Sequence, residues 1–207
     1  MIKTILKLKK RNPDISSKKN YIRSSILIPI IKDNDDLLIL FEVRSEKLKK
    51  QPNEICFPGG RIEEGENELI AAIRETSEEL CLDSENVYVV GSSNTLITPF
   101  NYIIYTYIGI LNNYNYSFNS EVNEVFTVPL SYLLSQKPLC HYINVNMQPR
   151  NDFPFHLIQN GKSYEWGKGK YPVYFYTYED RIIWGITARI IYDFISLIKE
   201  LQIDNDN

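Results

Sequence analysis

The chain has 207 residues, of which 43% are hydrophobic, and a formal net charge of −3 at pH 7. This length and apolar content suit one real core, so we expect a single domain over residues 1–207. The charge balance does not indicate a nucleic-acid-binding surface, which normally needs a basic excess. No apolar run approaches the about 18 residues that a membrane span requires, and Lys3 interrupts the first apolar residues, so no signal peptide is expected.

The predicted elements follow one another as in a mixed sheet flanked by helices, which is the α/β (α+β) class. Residues 2–10 carry Ile, Leu and Lys at helical spacing, so a helical extension is expected over residues 1–20. Two apolar runs, at residues 21–32 and 37–43, lie on either side of a polar turn and predict a hairpin. Further strands are expected at residues 86–91, 102–111, 125–128, 141–147 and 171–178. Helices are expected at residues 66–81, 129–134 and 183–202.

The first of the two longer predicted helices carries three carboxylates close together. At about 100° per residue, Glu75, Glu78 and Glu79 fall within an arc of roughly 100°. The opposite side of the helix is expected to carry Leu69, Ile73, Thr76 and Leu80. Like charges this close repel, so a folded protein that holds them together usually supplies a cation. A hard ion such as Mg²⁺ prefers oxygen ligands and commonly accompanies phosphate esters; the alternative is a solvated acidic face.

A glycine corner precedes this helix in the run Phe57-Pro58-Gly59-Gly60. Gly59 and Gly60 let the backbone approach a phosphate or a metal closely, although an ordinary turn would also explain them. Arg74 precedes the first carboxylate and is expected to orient it by a bidentate pair, with a plain surface salt bridge as the alternative. Glu66 is expected to hold the loop onto the helix start, and a helix-capping role would explain it nearly as well.

These residues occur in a fixed order, Gly60-x5-Glu66-x7-Arg74-Glu75-Thr76-x-Glu78-Glu79-x-Cys81-Leu82. The order resembles the signature box of the Nudix hydrolases, which cleave nucleoside diphosphates linked to another moiety. The resemblance implies a Nudix-type mixed sheet between helices, a Mg²⁺ or Mn²⁺ cofactor, and Glu75 and Glu79 as principal metal ligands with Glu78 as a further ligand. Cys81 stands where the family has a glycine, at a position expected to cap the helix with left-handed backbone.

A second motif lies upstream and runs Leu40-Phe41-Glu42-Val43-Arg44-Ser45-x3-Lys49-x3-Asn53-x3-Phe57-Pro58-Gly59-Gly60. It is similar to the extra motif of the coenzyme A pyrophosphatase branch, in which position 49 is usually arginine and position 53 glycine. Asparagine tolerates positive φ best among non-glycine residues, so Asn53 is expected to keep that turn. Matching segments continue to about residue 200. The resemblance implies hydrolysis of CoA or its thioesters to 3′,5′-ADP and 4′-phosphopantetheine or its acylated form.

Cations flank the glycine corner on both sides. Arg44, Lys49 and Arg61 are expected to bind substrate phosphates together with Gly59 and Gly60, because CoA carries a 3′-phosphate besides its diphosphate. Solvated side chains are the alternative for the cations. Lysine at position 49 keeps the charge but lacks the planar fork of arginine.

The remaining expectations concern the proton transfer, the substrate and the cell compartment. Glu78 or Glu124 is expected to act as the general base, and the sequence does not choose between them. ADP-ribose, NADH or a nucleotide triphosphate stays open as the substrate, as does a non-catalytic nucleotide sensor on the same fold. A small molecule is the expected partner, without nucleic acid or membrane, and a homodimer stays open. Three widely spaced cysteines without a CxxC pair indicate a reducing cytoplasm.

Overall fold

The computed structural model describes residues 14–34 and 36–205. These residues form two sheets and three helices, α1 (Glu68–Glu79), α2 (Leu130–Ser135) and α3 (Gly185–Asn205). The strands are β1 (Ile22–Asp33), β2 (Asp36–Arg44), β3 (Ile55–Cys56), β4 (Gly59–Arg61), β5 (Val87–Ser92), β6 (Leu96–Ile97), β7 (Tyr102–Leu111), β8 (Val122–Pro129), β9 (Leu139–Asn146), β10 (Lys168–Tyr178) and β11 (Arg181–Trp184).

The larger sheet is mixed, as expected, and β1 is central to it. Its strand order is β3-β2-β1-β7-β5, with β1 parallel to β7 and antiparallel to β2. The predicted hairpin of β1 and β2 is confirmed, with Ile30 opposite Ile39. Near its start, β1 pairs instead with β4, where Ser25 lies opposite Gly60. This change of partner along β1 brings the glycine corner into the sheet, because β4 occupies the edge that β2 has left.

The two faces of the larger sheet bury different side chains, as the alternation of strand residues requires. One face carries Ile28 and Phe41, which pack in a core with Ile191 and Phe194 of α3. The other face carries Leu27 and packs against the residues that follow α1, whose Leu80 is fully buried. The sheet therefore lies between helices, and this confirms the expected fold class.

A second, three-stranded sheet has the order β11-β10-β9 and leads directly into α3. The helix predicted at residues 183–202 therefore begins two residues too early, because Ile183 and Trp184 belong to β11. Gly185 has a φ of 66°, in the left-handed region, and marks the change from strand to helix. The helix predicted at residues 2–10 lies outside the described residues; nearer β1, Lys18–Asn20 forms a 3₁₀ turn. Within the described chain, no helix is both long enough and apolar enough to cross a membrane.

Candidate functional site

The predicted acidic helix is α1, and residues next to its two ends determine where it begins and ends. The side chain of Asn67 accepts a hydrogen bond from the Ile70 amide at 2.9 Å and caps the N-terminus. At the other end Cys81 has a φ of 48°, which confirms the expected left-handed cap. The Leu82 amide then donates to the Ser77 carbonyl at 3.0 Å. The Cys81 side chain is exposed, so it fills the glycine position without a contact in the core.

The packing of α1 corrects the predicted division of its faces. Glu79 is only 4% exposed and shares the buried face with Ala72 and Thr76, whereas Leu69 is exposed. The sequence pattern predicted Glu79 in one arc with Glu75 and Glu78, on the side opposite Leu69 and Thr76. The reason for the difference lies in the sheet beneath, since the strands facing this helix contribute the fully buried polar residues Ser25 and Glu42.

Glu79 is held against the glycine corner by a direct hydrogen bond. Its Oε2 accepts from the Gly59 amide at 2.8 Å. Gly59 has a φ of 152°, and a β-carbon there would lie 2.5 Å from the Ser25 carbonyl oxygen, so a larger residue would not fit. Burial raises the pKa of Glu79, with a further increase from the Glu42 charge that the Gly59 bond only partly offsets.

Glu75 lies one helical turn before Glu79 and contacts the second glycine of the corner. A β-carbon on Gly60 would overlap the Glu75 carboxyl group, so the close approach depends on glycine. Burial raises the pKa of Glu75 although Arg74 donates a hydrogen bond to its Oε1 at 2.9 Å. The two glycines therefore contact the two carboxylates in turn, whereas their predicted close approach to a phosphate or a metal stays a prediction.

Arg74 joins α1 to the loop that precedes it through several hydrogen bonds. Its Nε and Nη2 donate to the two carboxylate oxygens of Glu66 at 2.9 and 3.0 Å, so the bidentate pair is with Glu66 and not with Glu75. The same guanidinium also reaches Glu78 at 3.3 Å and the Arg61 carbonyl at 3.3 Å. Glu66 in turn accepts from the Glu63 amide at 3.1 Å, while the helix cap itself is Asn67. This network restrains the position of Glu75.

Glu42 of β2 lies in the site although it was not predicted from the sequence as a site residue. It is 1% exposed, and its Oε1 accepts a bond from the Cys56 thiol at 3.2 Å. Its Oε2 is buried and has no hydrogen-bond partner among the described residues. Burial raises the pKa of Glu42, and nearby Arg44 opposes that shift. The sequence did carry an indication of this role, because strand alternation places the Glu42 carboxylate on the same inward face as Leu40.

The loop before β8 closes the carboxyl end of α1. The Asn119 amide donates to the Glu79 carbonyl at 2.8 Å, and its side chain donates to the Glu78 carbonyl at 2.9 Å. Glu121 follows, and its charge contributes to the raised pKa of both Glu42 and Glu75. The sequence gives no sign of Glu121, because only the fold of this loop brings it near residues so distant in sequence.

The predicted general-base candidates lie in different surroundings. The Glu78 side chain is 57% exposed and contacts Arg74. Glu124 of β8 accepts two bonds from the Arg181 guanidinium of β11, at 3.1 and 2.6 Å, which ties the two sheets together. The Arg181 guanidinium also lies 4.2 Å from the centre of the Phe126 ring.

The predicted substrate cations are also distributed unevenly. Arg44 is half-buried, and its charge lowers the pKa of both Glu42 and Glu79 against the raising effect of burial. Lys49 is exposed, and among the described residues it makes no ion pair. Asn53 has a φ of 61°, so the expected left-handed turn is confirmed. Arg61 is exposed and lines an open cavity of about 460 Å³.

The carboxylate oxygens are ligands of the type that a divalent cation binds, but the side chains are not arranged around a single ion position. Over residues 14–34 and 36–205, no three His, Cys, Asp or Glu side chains converge as preformed metal ligands. Glu42 and Glu79 are nevertheless buried and Glu75 is half-buried, the pKa values of all three carboxyl groups are raised, and one Glu42 oxygen has no partner among the described residues. Arg74 and Arg44 offset only part of the effect of burial on these pKa values, and Mg²⁺ and Mn²⁺ take oxygen ligands of this kind.

The chain is similar to members of one known protein family. A family model described as the NUDIX domain matches residues 22–138. The peroxisomal coenzyme A diphosphatase NUDT7 of Mus musculus is 33% identical over 159 residues, which are 74% of this chain and 66% of that protein, just under two thirds of its length. An uncharacterized Nudix hydrolase, NudL of Photorhabdus laumondii, is 29% identical over 187 residues, covering 89% of this chain and 87% of that one. A crystal structure of a C. elegans Ap4A hydrolase binary complex is 23% identical, covers 52% of this chain and 80% of that chain, and has a TM-score of 0.46. Since the family model spans more than half of the chain, the protein belongs to the Nudix family of hydrolases.

Proposed function

We propose that this Nudix hydrolase is a metal-dependent diphosphatase of coenzyme A or acyl-CoA. It hydrolyses the diphosphate to 3′,5′-ADP and 4′-phosphopantetheine or its acylated form. The observation that carries the proposal is the glycine corner, where Glu79 accepts from the Gly59 amide at 2.8 Å and Glu75 lies against Gly60. The choice of CoA is supported by the motif upstream of that corner and by the similarity to a relative named as a coenzyme A diphosphatase.

Glu75 and Glu79 would hold Mg²⁺ or Mn²⁺, with Glu78 as a further ligand and Glu42 as a buried carboxylate behind them. When bound, the ion neutralises the charge that develops on the diphosphate oxygens and lowers the pKa of the attacking water. The protein's own contribution is to keep the carboxylates in place before the substrate arrives. Arg74 does this for Glu75, and the Gly59 amide does it for Glu79.

The cations and the base complete the proposed mechanism. Arg44 and Lys49 offer positive charge to the phosphates, and Arg61 does so from the other side of the corner. Glu78 or Glu124 takes a proton from the attacking water. If Glu124 is that base, it takes the proton on a carboxylate whose two oxygens each accept one bond from the Arg181 guanidinium and keep a further lone pair.

A comparison of substrates tests the proposal. Purified protein with Mg²⁺ is incubated separately with CoA, NADH and ADP-ribose, and the products are identified by chromatography and mass spectrometry. We expect the highest kcat/KM for CoA and the release of 3′,5′-ADP. Faster turnover of NADH or ADP-ribose would move the assignment to the runner-up, a Nudix hydrolase of another nucleoside diphosphate derivative or a nucleotide triphosphate.

One observation favours keeping that runner-up. Lys49 is exposed and forms no ion pair among the described residues, so its contacts do not hold its side chain in a position to bind a substrate phosphate. A non-catalytic nucleotide sensor is the third candidate, and it has less support because Glu75, Glu78 and Glu79 are all retained. Tight nucleotide binding with no product at saturating Mg²⁺ would favour the sensor.

A further inference from the structure

An open cavity of about 460 Å³ lies beside the glycine corner and is lined mainly by cations. Its lining residues are Lys18, Lys19, Tyr21, Arg23, Arg61 and Ile62. Of these, only Arg61 was expected to take part in substrate binding. Four positive charges around one cavity repel one another, so an anion bound there would relieve the repulsion.

The cavity is built by the fold from three separate segments. The 3₁₀ turn Lys18–Asn20 contributes two lysines, the start of β1 contributes Arg23, and the end of β4 contributes Arg61. The strands hold their parts in register, because Arg61 pairs with Ser24 and the Ile62 amide donates to the Arg23 carbonyl at 3.0 Å. Buried Ile62 gives the cavity an apolar wall beside the charges.

Part of the positive charge is positioned by one carboxylate, and the rest is left unpaired. Glu68, at the start of α1, lies 3.5 Å from Lys18 Nζ and 3.9 Å from Arg23 Nη1. Lys18 also lies 5.2 Å from the centre of the Tyr105 ring. Lys19 and Arg61 form no ion pair with a carboxylate in the part of the chain that the structure describes. One carboxylate against four cations leaves a net positive cavity.

The position of the cavity relates it to the diphosphate site. Gly60 lies against the Glu75 carboxyl group, and Arg61 is the next residue of β4, so neighbouring positions of one strand contribute to the carboxylate site and to the cationic wall. A ligand with two anionic groups close together would span both places. The 5′-diphosphate and the 3′-phosphate of CoA are substituents of the same ribose and meet this requirement.

We propose that the cavity of Lys18, Lys19, Arg23 and Arg61 binds the ribose 3′-phosphate of the substrate. The assignment rests on the proposed function and names the group by which this enzyme distinguishes CoA from nucleotides without a 3′-phosphate. A phosphate monoester has three oxygens that accept charge-assisted hydrogen bonds, which lysine and arginine side chains donate. Tyr21 and Ile62 lie beside the phosphate and give the adjoining nucleoside a less polar contact.

The test is a binding measurement without turnover. Isothermal titration calorimetry compares 3′,5′-ADP with 5′-ADP, which carries the same number of phosphates in another arrangement, on metal-free protein. We expect the wild type to bind 3′,5′-ADP more tightly. Lys19→Met and Arg23→Met should each weaken 3′,5′-ADP binding by about tenfold, the loss of one charge-assisted hydrogen bond. The variants should therefore lose most of the preference for 3′,5′-ADP over 5′-ADP.

Lys137→Met is the matched control, because it removes an exposed lysine outside the cavity and should bind both nucleotides as the wild type does. Lys19 is exposed in a turn, so its replacement keeps the test valid even if Arg23→Met lowers stability. Equal affinity of the wild type for the two nucleotides, or preference retained in both cavity variants, would overturn the proposal. A protein that discriminates between them but releases no product from CoA would refute the proposed function and leave the cavity assignment standing.

Discussion

Replacing Gly60 with alanine tests whether the position of Glu75 matters for catalysis. A β-carbon at residue 60 would overlap the Glu75 carboxyl group, and even the farther oxygen, Oε2, would be 2.6 Å away. Ordinary contact between such atoms needs about 3.5 Å, so the carboxyl must move by roughly 1 Å. That movement also strains the hydrogen bond from Arg74, which is 2.9 Å long.

The effect on rate should exceed the effect on stability. A displacement of about 1 Å in a positioned group costs on the order of 100-fold in rate, or about 2.7 kcal/mol of activation free energy. The free energy of unfolding should fall by no more than about 2 kcal/mol, since the strained group is an arginine-carboxylate contact at a half-buried position. Without the overlap, alanine in a strand would itself be slightly favourable relative to glycine.

The assay is steady-state hydrolysis of CoA with Mg²⁺, accompanied by a thermal unfolding curve for each variant. Gly91→Ala is the matched control, because a β-carbon there meets no atom within 4 Å and should leave turnover unchanged. If Gly60→Ala hydrolyses CoA at the wild-type rate while folded, Glu75 is not needed where the structure has it. That result would contradict a role for the glycine corner in positioning Glu75 for catalysis.

Three further predictions address the helix cap, the buried charge and the general base. Cys81→Gly should raise the free energy of unfolding by about 1 kcal/mol in urea denaturation, because glycine adopts the left-handed φ of 48° without a β-carbon penalty; Cys81→Ala should give no such gain. Burial raises the pKa of Glu79, so the free energy of unfolding of the metal-free protein should fall as pH rises above 4.5, the ordinary pKa of the carboxyl group. Since the ion binds the deprotonated carboxylate, the increase in melting temperature on adding Mg²⁺ should become larger from about pH 5 to about pH 8. An equal shift at both pH values would contradict the role of this carboxylate in binding the ion. Of Glu78→Gln and Glu124→Gln, the variant that removes the base should lose about 10²- to 10⁴-fold in kcat; if neither loses it, the base is another group.

Features set by neighbouring residues in the chain could be predicted from the sequence. Asn53 and Cys81 occupy left-handed positions as expected, because helix caps and turns depend on a few adjacent residues. The carboxylates of α1 and their glycine corner were likewise expected, because their spacing along the chain is fixed. The limits of α1, Glu68–Glu79, differ by two residues at each end from the prediction of 66–81.

The remaining features depend on contacts between distant segments. Glu79 shares the buried face of α1 with Thr76, from which the predicted arc had separated it, because β1 and β2 place polar side chains beneath α1. Glu42 and Glu121 enter the site through strand pairing and loop closure, which helical or strand periodicity does not report. The cationic cavity combines a turn with the ends of two strands, so its members are scattered over residues 18–62. The three-stranded sheet also escaped prediction, since strand assignment does not say which strands pair.

The dependence of CoA hydrolysis on Mg²⁺, measured for the wild type and for Glu79→Gln, shows whether the buried Glu79 carboxylate binds the catalytic ion. We expect the wild type to release 3′,5′-ADP at a rate that rises with Mg²⁺ to saturation. Glu79→Gln should remain folded but lose turnover at every Mg²⁺ concentration, because the amide keeps the size of the side chain and removes its charge. Full turnover by Glu79→Gln would contradict the claim that this buried carboxylate binds the catalytic ion.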